Sequence, residues 1–239
     1  MSSHALALHT SSSQLGLAVC EVAMTASGSP MVPWGTGRQQ TWDLGRGLLN
    51  DLHSLLQDWI QPLTWQDFVY LAVAQGPGSF TSTRIGLVTA RTLGQQLALP
   101  VFTVSSLAAF AHDSWVHNLS TNARIQDAAH DGKKAIAVEL AASRGQVYGG
   151  LYQVQSSPWV PLQPDALYEA EEWSAYLNQR PGEILRYTAP EPLGYTVSSV
   201  LALAQQAWHQ GERPDWSTAL PFYGNEKIFP HIGSGSQNP

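Results

Sequence analysis

The stretch AVAQGPGSFTSTRIGLVTARTLGQQLALP, residues 72–100, decides the fold of this chain. An apolar run ends in a glycine-rich turn, and the turn opens a segment with helical spacing, which is the outline of a phosphate-binding loop. Gly76 and Gly78 give backbone freedom on either side of Pro77, so the chain can turn sharply. The turn lacks the Gly-Lys-Ser/Thr ending of a Walker loop. Three interpretations stay open: a tight turn before a capped helix, a docking loop, or a phosphate contact.

The helix predicted over residues 82–97 has one face made of small residues. Gly86, Ala90 and Gly94 are spaced four apart, so another helix could approach this face closely. The same face could pack on the protein's own sheet, and periodicity does not decide between the two. Ser79 is a candidate cap at the start of this helix.

The remaining pattern predicts strands and helices along the whole chain. A polar turn at residues 10–14 joins two apolar runs into a β-hairpin. Further strands are predicted at 68–74, 101–104, 134–143 and 145–154, and further helices at 43–60, 105–116 and 196–209. The sequence therefore predicts an α/β fold.

The pattern also divides the chain into lobes. We predict an N-terminal lobe at residues 1–116 with a sheet and the helices at 43–60 and 82–97, a C-terminal lobe at 117–215 and an irregular tail at 216–239. The polar residues 117–133 are typical of a linker or hinge. Strand pairs near residues 5 and 134 favour two lobes built on related plans.

Composition limits the classes of function. With a net charge of −6 and only 12 Lys and Arg residues, the chain has no basic footprint for direct nucleic-acid binding. The single cysteine, Cys20, permits no internal disulfide, which favours a reducing compartment. The N-terminal residues lack the charge and the long apolar run of a signal peptide or a membrane span. We therefore expect a cytoplasmic protein.

Three blocks of the sequence resemble one known family. VAQGPGSFTSTRIGLVTARTLGQQLALPVFTVSSLAAFA (73–111) is similar to the signature GPGSFTGLRIG of the TsaB family, also called YeaZ, with its Ala/Gly-rich helix and the GVSSLEALA that follows. LALHTSSSQLGLAVCE (6–21) resembles the family's opening LAIDTST…SVAL, and ELAASRGQVYGGLY (139–152) resembles ALDARRGEVYWALY. Beyond about residue 155 only the layout is alike.

The resemblance implies both a fold and a role. The fold is two-lobed, of the actin, sugar-kinase and Hsp70 type, ribonuclease H-like, with mixed sheets flanked by helices. The role is in placing threonylcarbamoyl on adenosine 37 of tRNAs that read codons beginning with A. In that system TsaB is the non-catalytic partner of the catalytic subunit TsaD, an ATPase named TsaE completes the bacterial set, and TsaC makes the threonylcarbamoyl donor.

Two positions depart from the family pattern. His9 stands where the family has the aspartate that positions hydrated Mg²⁺ in related ATPases, and Ala141 replaces a second aspartate. A neutral imidazole is a poor ligand for this hard cation. His9 is either a strand-end histidine or a catalyst, and the histidines form no H-E-x-x-H set. The departures favour a scaffold subunit over the alternative, a stand-alone ATP-dependent kinase or hydrolase.

The resemblance also places the site. It implies a partner surface on the two docking helices, predicted at 43–60 and 82–97, with the candidate residues Gly86, Ala90, Arg84, Leu87, Gly94, Leu48 and Leu52. The loop that positions the second helix consists of Gly76, Pro77, Gly78, Ser79, Phe80 and Thr81. We predict no catalytic residue, no metal ligand and no cofactor of its own, with ATP or ADP only in the assembled complex. The expected partners are a TsaD-like catalytic subunit, a TsaE-like ATPase and a second copy of the chain, with tRNA reached only through the complex.

Overall fold

The structure, a computed structural model, describes residues 3–22, 37–121, 135–153 and 159–224. Its first sheet has five strands in the order β3-β2-β1-β4-β5. These strands are β1 (His4–His9), β2 (Gln14–Glu21), β3 (Arg38–Asp43), β4 (Phe68–Ala74) and β5 (Val101–Val104). The predicted hairpin is confirmed, since β1 and β2 pair antiparallel, while β4 and β5 continue the sheet in parallel.

The second sheet has four strands in the order β8-β7-β6-β9. These strands are β6 (Ala135–Ala141), β7 (Gln146–Gln153), β8 (Pro161–Glu169) and β9 (Ile184–Thr188). The helices are α1 (Leu48–Ile60), α2 (Phe80–Leu97), α3 (Ser106–Thr121), α4 (Ala170–Asn178) and α5 (Val197–His209). Both sheets are mixed and flanked by helices.

The two faces of β1 receive different helices because its side chains alternate in size. Leu6 and Leu8 pack with α1 and α2 in one buried cluster. Ala5 and Ala7 point to the other face and pack with α5. All four residues are fully buried. A small side chain lets a helix approach a sheet closely, so the alternation fixes a helix layer on each face of the first sheet.

Helices α3 and α5 cross between the predicted lobes. Leu107 and Phe110 of α3 pack with Ile136 and Val138 of the second sheet. Val200 of α5 and its neighbours pack on the first sheet instead. Each of these helices thus lies against the sheet of the other predicted lobe, although the boundaries at residues 116 and 215 stay predictions.

Several predicted bounds require correction. Helix α1 begins at Leu48 rather than at residue 43, because residues 38–43 form the edge strand β3 and Gly45 has a positive φ of 51°. Helix α3 continues to Thr121, so the start of the predicted linker is helical. The remainder of that linker, residues 122–133, lies outside the described residues.

The described part of the predicted tail, residues 216–224, packs against the first sheet. A 3-10 turn forms at Trp216–Thr218, and the N–H of Phe222 donates to the carbonyl oxygen of Gln75 at 2.9 Å. Ala219 is buried in the same core as α1 and α2. Residues 225–239 lie outside the described residues. We refer to residues 219–224 as the C-terminal strap.

Candidate partner interface

The glycine turn packs against the β1–β2 turn of its own chain. The N–H of Ser79 donates to the carbonyl oxygen of Ser11 at 2.6 Å, and the N–H of Ser106 donates to the carbonyl oxygen of Gly76 at 2.8 Å. Gly76 has a φ of +99° and Gly78 a φ of +155°, and a Cβ on Gly78 would lie 2.1 Å from that same oxygen of Ser11. An L side chain fits neither position. The turn therefore holds the start of α2 against β1–β2.

The position of the expected magnesium ligand offers no carboxylate. His9 is fully buried, and neither ring nitrogen has a hydrogen-bond partner among the described residues. Burial lowers the pKa of His9 from 6.5 to about 3, so the imidazole is neutral near pH 7. Ala141 is exposed at the end of β6 and carries no polar group. These residues do not fit a hydrated Mg²⁺ with a nucleotide.

The small face of α2 lies inside the protein. A Cβ on Gly86 would be 2.1 Å from Oγ1 of Thr10, and one on Gly94 would be 2.5 Å from Cγ2 of Val101. Ala90 is fully buried in the core beneath the helix. The expectation that a partner approaches this face is therefore wrong, because the protein's own first sheet already covers it.

Three further predicted partner residues are buried as well. Leu87 of α2 and both Leu48 and Leu52 of α1 belong to the core that joins the helices to the first sheet. Their apolar spacing indicates the buried face of each helix, and the protein's own first sheet covers that face. Arg84 is the predicted partner residue that remains exposed.

The outer sides of α1 and α2 form an apolar groove of about 420 Å³. Leu49, Phe80 and Val88 have exposed fractions of 63%, 58% and 62%. The groove is lined by Leu49, His53, Phe80, Thr81, Arg84, Ile85, Val88, Thr89, Thr92 and Leu93. Large apolar side chains left this exposed on neighbouring helices are typical of a surface that binds another protein.

The sequence contained a signal for the groove that its helical spacing could have revealed. Phe80, Arg84 and Val88 are spaced four apart, out of phase with the stripe at Gly86 and Ala90. Phe80 and Val88 are large apolar residues on the side of α2 that faces away from the core, and this indicates a surface for a partner. Phe80 is the first residue of α2 rather than part of the preceding turn, and Val88 lies outside the predicted partner residues.

A polar cluster lies in a separate cleft of about 570 Å³ between the two sheets. The Asp165 carboxylate accepts hydrogen bonds from the hydroxyls of Ser105 and Tyr152. Burial raises the pKa of Asp165 to about 6. Ser105 also accepts a hydrogen bond from the N–H of Ala108 at 3.0 Å, so this cluster joins β8 to the start of α3.

Two chemical possibilities find no support within the described ranges. No group of three His, Cys, Asp or Glu side chains there could hold a metal ion. No helix in the same ranges is long and apolar enough to cross a membrane.

Sequence comparison identifies a family and relatives that match part of the chain. The family model described as TsaD, tRNA N6-adenosine threonylcarbamoyltransferase, matches residues 52–200, more than half of the chain. The tRNA threonylcarbamoyladenosine biosynthesis protein TsaB of Bacillus subtilis (strain 168) is 34% identical over 134 residues, 56% of this chain and 51% of that protein. The TsaB of Escherichia coli (strain K12) is 30% identical over 118 residues, 49% of this chain and 46% of that protein. The chain thus spans about half the length of the curated relatives it matches.

Structural comparison confirms the predicted fold class. YeaZ from Pseudomonas aeruginosa superposes with a TM-score of 0.67 at 22% identity, covering 92% of this chain and 100% of that chain. A Pseudomonas aeruginosa structure described as similar to the peptidase YEAZ gives a TM-score of 0.68 at 22% identity, covering 93% of this chain and 99% of that chain.

Proposed function

Since the chain belongs to the TsaB (YeaZ) family, we propose that it is a non-catalytic subunit in the biosynthesis of threonylcarbamoyladenosine on tRNA. It acts by docking the groove between α1 and α2 onto a TsaD-like catalytic subunit. The chemistry then takes place in the partner, and this chain stabilises the partner in a competent state.

The exposed groove is the observation that carries this proposal. Leu49 and Val88 are both more than 60% exposed, although each stands on a helix whose other side is firmly buried. Apolar side chains on two packed helices make a preorganised surface, which loses little conformational entropy when it binds. A helix of the partner laid along the groove would remove these side chains from water.

The absence of a carboxylate at two positions supports a role without phosphoryl transfer. Such transfer depends on a metal held beside the phosphates, and His9 and Ala141 offer no ligand for it. The N–H of Ser79 is also already bonded to Ser11. Any ATP or ADP is therefore expected only in the assembled complex.

The remaining partners follow from the same proposal. A TsaE-like ATPase joins the assembly, and a second copy of this chain is the competing occupant of the groove. The net charge of −6 gives the isolated chain little attraction for a phosphate backbone. tRNA is therefore reached through the complex.

The test is calorimetric titration of the purified chain with the TsaD-like subunit of the same organism. We expect a complex for the wild type and at least about a 100-fold loss of affinity for Val88→Glu, because a carboxylate would be buried in an apolar groove. Leu162→Glu is the matched control, since Leu162 is 38% exposed on β8, outside the groove. The control should bind within about twofold of the wild type.

ATP turnover separates this role from the alternative one. The isolated chain with Mg²⁺ should hydrolyse no ATP and cleave no peptide, and threonylcarbamoyl transfer by the catalytic subunit should require the chain. Turnover by the wild type that disappears when His9 is changed would support a stand-alone ATP-dependent kinase or hydrolase instead. A wild type that does not bind the catalytic subunit would overturn the proposal.

A further inference from the structure

Arg84 is held between two aromatic rings at one end of the groove. Its guanidinium lies 3.7 Å from the ring centroid of Phe80 and 5.3 Å from that of Tyr223. Nε and Nη2 donate to the Tyr223 hydroxyl at 3.3 Å and 2.9 Å. The two rings contact each other, with centroids 5.9 Å apart. We name this group of Phe80, Arg84 and Tyr223 the arginine clamp.

Other stacked arginines of the protein show what a purely structural role looks like. Arg38 stacks on Trp59 and donates to the carbonyl oxygens of Trp59 and Ile60 at the end of α1. Arg213 stacks on Trp208 and donates to two backbone carbonyls. Both cations satisfy carbonyls that a turn or a helix end leaves open.

The donors of Arg84 are used differently. Among the described residues they end on the Tyr223 phenol alone, and no carboxylate there pairs with the guanidinium. A guanidinium has five N–H donors, and the phenol accepts from two nitrogens. The Nη1 edge therefore remains available for a planar acceptor.

The arginine clamp lies beside the apolar groove, so the free Nη1 edge of Arg84 is next to the proposed docking surface. Phe80 and Arg84 both line the groove, together with Leu49 and Val88. Tyr223 belongs to the C-terminal strap and is 46% exposed, and Leu220 of the same strap is 58% exposed. The strap therefore continues the apolar surface from α2 onto the end of the described chain.

Filling the groove would remove water from this cation. A guanidinium buried in an interface without a counter-charge is strongly unfavourable, whereas a carboxylate can accept two parallel hydrogen bonds from it. The stacked rings hold the side chain in one orientation before binding, which lowers the entropy lost on association. Arginine between aromatic side chains is also the composition that dominates interface energetics.

We propose that the arginine clamp recognises a carboxylate on the partner surface that fills the groove. Arg84 makes the ion pair, and Tyr223 is a positioning residue that orients it. The inference rests on the proposed function, because the partner in question is the TsaD-like catalytic subunit. The inference adds that this partner carries a negatively charged carboxylate opposite Arg84 of α2.

The experiment measures the affinity of Arg84 variants for the catalytic subunit at low and high salt. Arg84→Gln should weaken binding by about 10- to 100-fold at about 50 mM NaCl, and its affinity should change little up to about 500 mM. The wild type should lose most of this advantage at high salt. Arg84→Lys should fall between them, since an ammonium cannot make the planar pair.

The matched control is Arg180→Gln. Arg180 also stacks on a tyrosine, Tyr176, and donates to its hydroxyl, but it lies beyond α4 and away from the groove. Its affinity should stay within about twofold of the wild type. Tyr223→Phe keeps the ring and loses the hydroxyl, so it should weaken binding by less than Arg84→Gln does.

The outcomes separate this inference from the proposed function. If the wild type binds and Arg84→Gln binds equally well at every salt concentration, the carboxylate contact is wrong while the docking role stands. If the wild type only self-associates and does not bind the catalytic subunit, both are wrong. With Arg84→Glu, replacing the acidic side chains of the catalytic subunit one by one with lysine should restore binding at the carboxylate concerned.

Discussion

The two faces of α2 are built from different residues and meet different surroundings. The inner face carries Gly86, Ala90 and Gly94 and lies directly on the first sheet. The outer face carries Phe80 and Val88, which stay more than half exposed. One helix therefore combines a face that fixes it to the fold with a face available for another protein.

The contrast teaches what a stripe of small residues indicates. Spacing by four shows that some backbone or side chain comes close, and it does not show whose. The contact at Gly86 comes from Thr10, in the β1–β2 turn of the same chain. Large apolar residues out of phase with such a stripe are the better indication of a partner, because the core does not account for them.

The largest expected effect is on the inner face. Ala90→Glu should unfold the protein or lower its free energy of unfolding by more than about 4 kcal/mol, because Ala90 is fully buried and a carboxylate there has no partner. Circular dichroism and thermal melting measure this. A partner surface at Ala90, as the family resemblance implies, predicts the opposite result, a folded protein that no longer binds.

Val88→Glu is the control for that change on the other face. Val88 is 62% exposed, so a protein with glutamate introduced here, two residues before Ala90, should have a melting temperature close to that of the wild type. An Ala90→Glu protein with a native melting curve would show that the inner face is open, and the comparison between the faces would then fail.

The sequence predicted the strands and helices that have a strong pattern of their own. The continuous apolar run of β4 and the two runs of the hairpin needed no tertiary information. β3 reads RQQTWD, with mostly exposed residues, and exists because the edge of β2 pairs with it. Leu44 extended the spacing of α1 by four residues, although Leu44 packs against the core from the turn before that helix.

The next largest expected effect is on binding, at Leu49 in the groove between α1 and α2. Leu49→Glu should leave the melting temperature near that of the wild type and weaken binding to the catalytic subunit by about 2 to 3 kcal/mol, because Leu49 is 63% exposed and lines the groove from the α1 side. Asn50→Glu adds the same charge at an exposed position outside the groove. Equal affinities of the two variants for the catalytic subunit would show that the docking surface does not include α1.

The site was less predictable from the sequence than the fold. The clamp joins Arg84 to Tyr223, which is 139 positions away along the chain, and no local pattern connects them. The family motif alone indicates Arg84, and the sequence of the strap predicts only an irregular tail. Contacts of this kind depend on how the C-terminal strap returns to the first sheet.

Another effect concerns acid and the buried imidazole of His9 at the end of β1. Burial lowers the pKa of His9 from 6.5 in the unfolded chain to about 3, so the unfolded state binds more protons between these values. The stability that neutral His9 allows is present above about pH 6.5 and is lost as the pH falls toward 3. We expect the free energy of unfolding to drop by a few kcal/mol between about pH 7 and pH 4.

His9→Gln is the variant that checks this origin. Glutamine stays uncharged in acid, so the urea-unfolding free energy should depend less on pH than in the wild type. Some dependence should remain, because burial also lowers the pKa of His112 to about 4. A variant with the full slope of the wild type would show that His9 is not the group that acid protonates on unfolding.

The smallest expected effect on stability is at Ser79, the N-cap residue of α2. The N–H of Ser82 donates to Oγ of Ser79, the N-cap of α2, at 3.5 Å, a long hydrogen bond at an exposed position. Ser79→Ala should therefore cost about 0.5 to 1 kcal/mol of unfolding free energy, and Ser79→Asp should recover it through the carboxylate and the helix dipole. Urea unfolding measures both variants, and their affinities for the catalytic subunit should match the wild type. A loss of affinity in Ser79→Ala without a loss of stability would mean that the turn itself touches the partner.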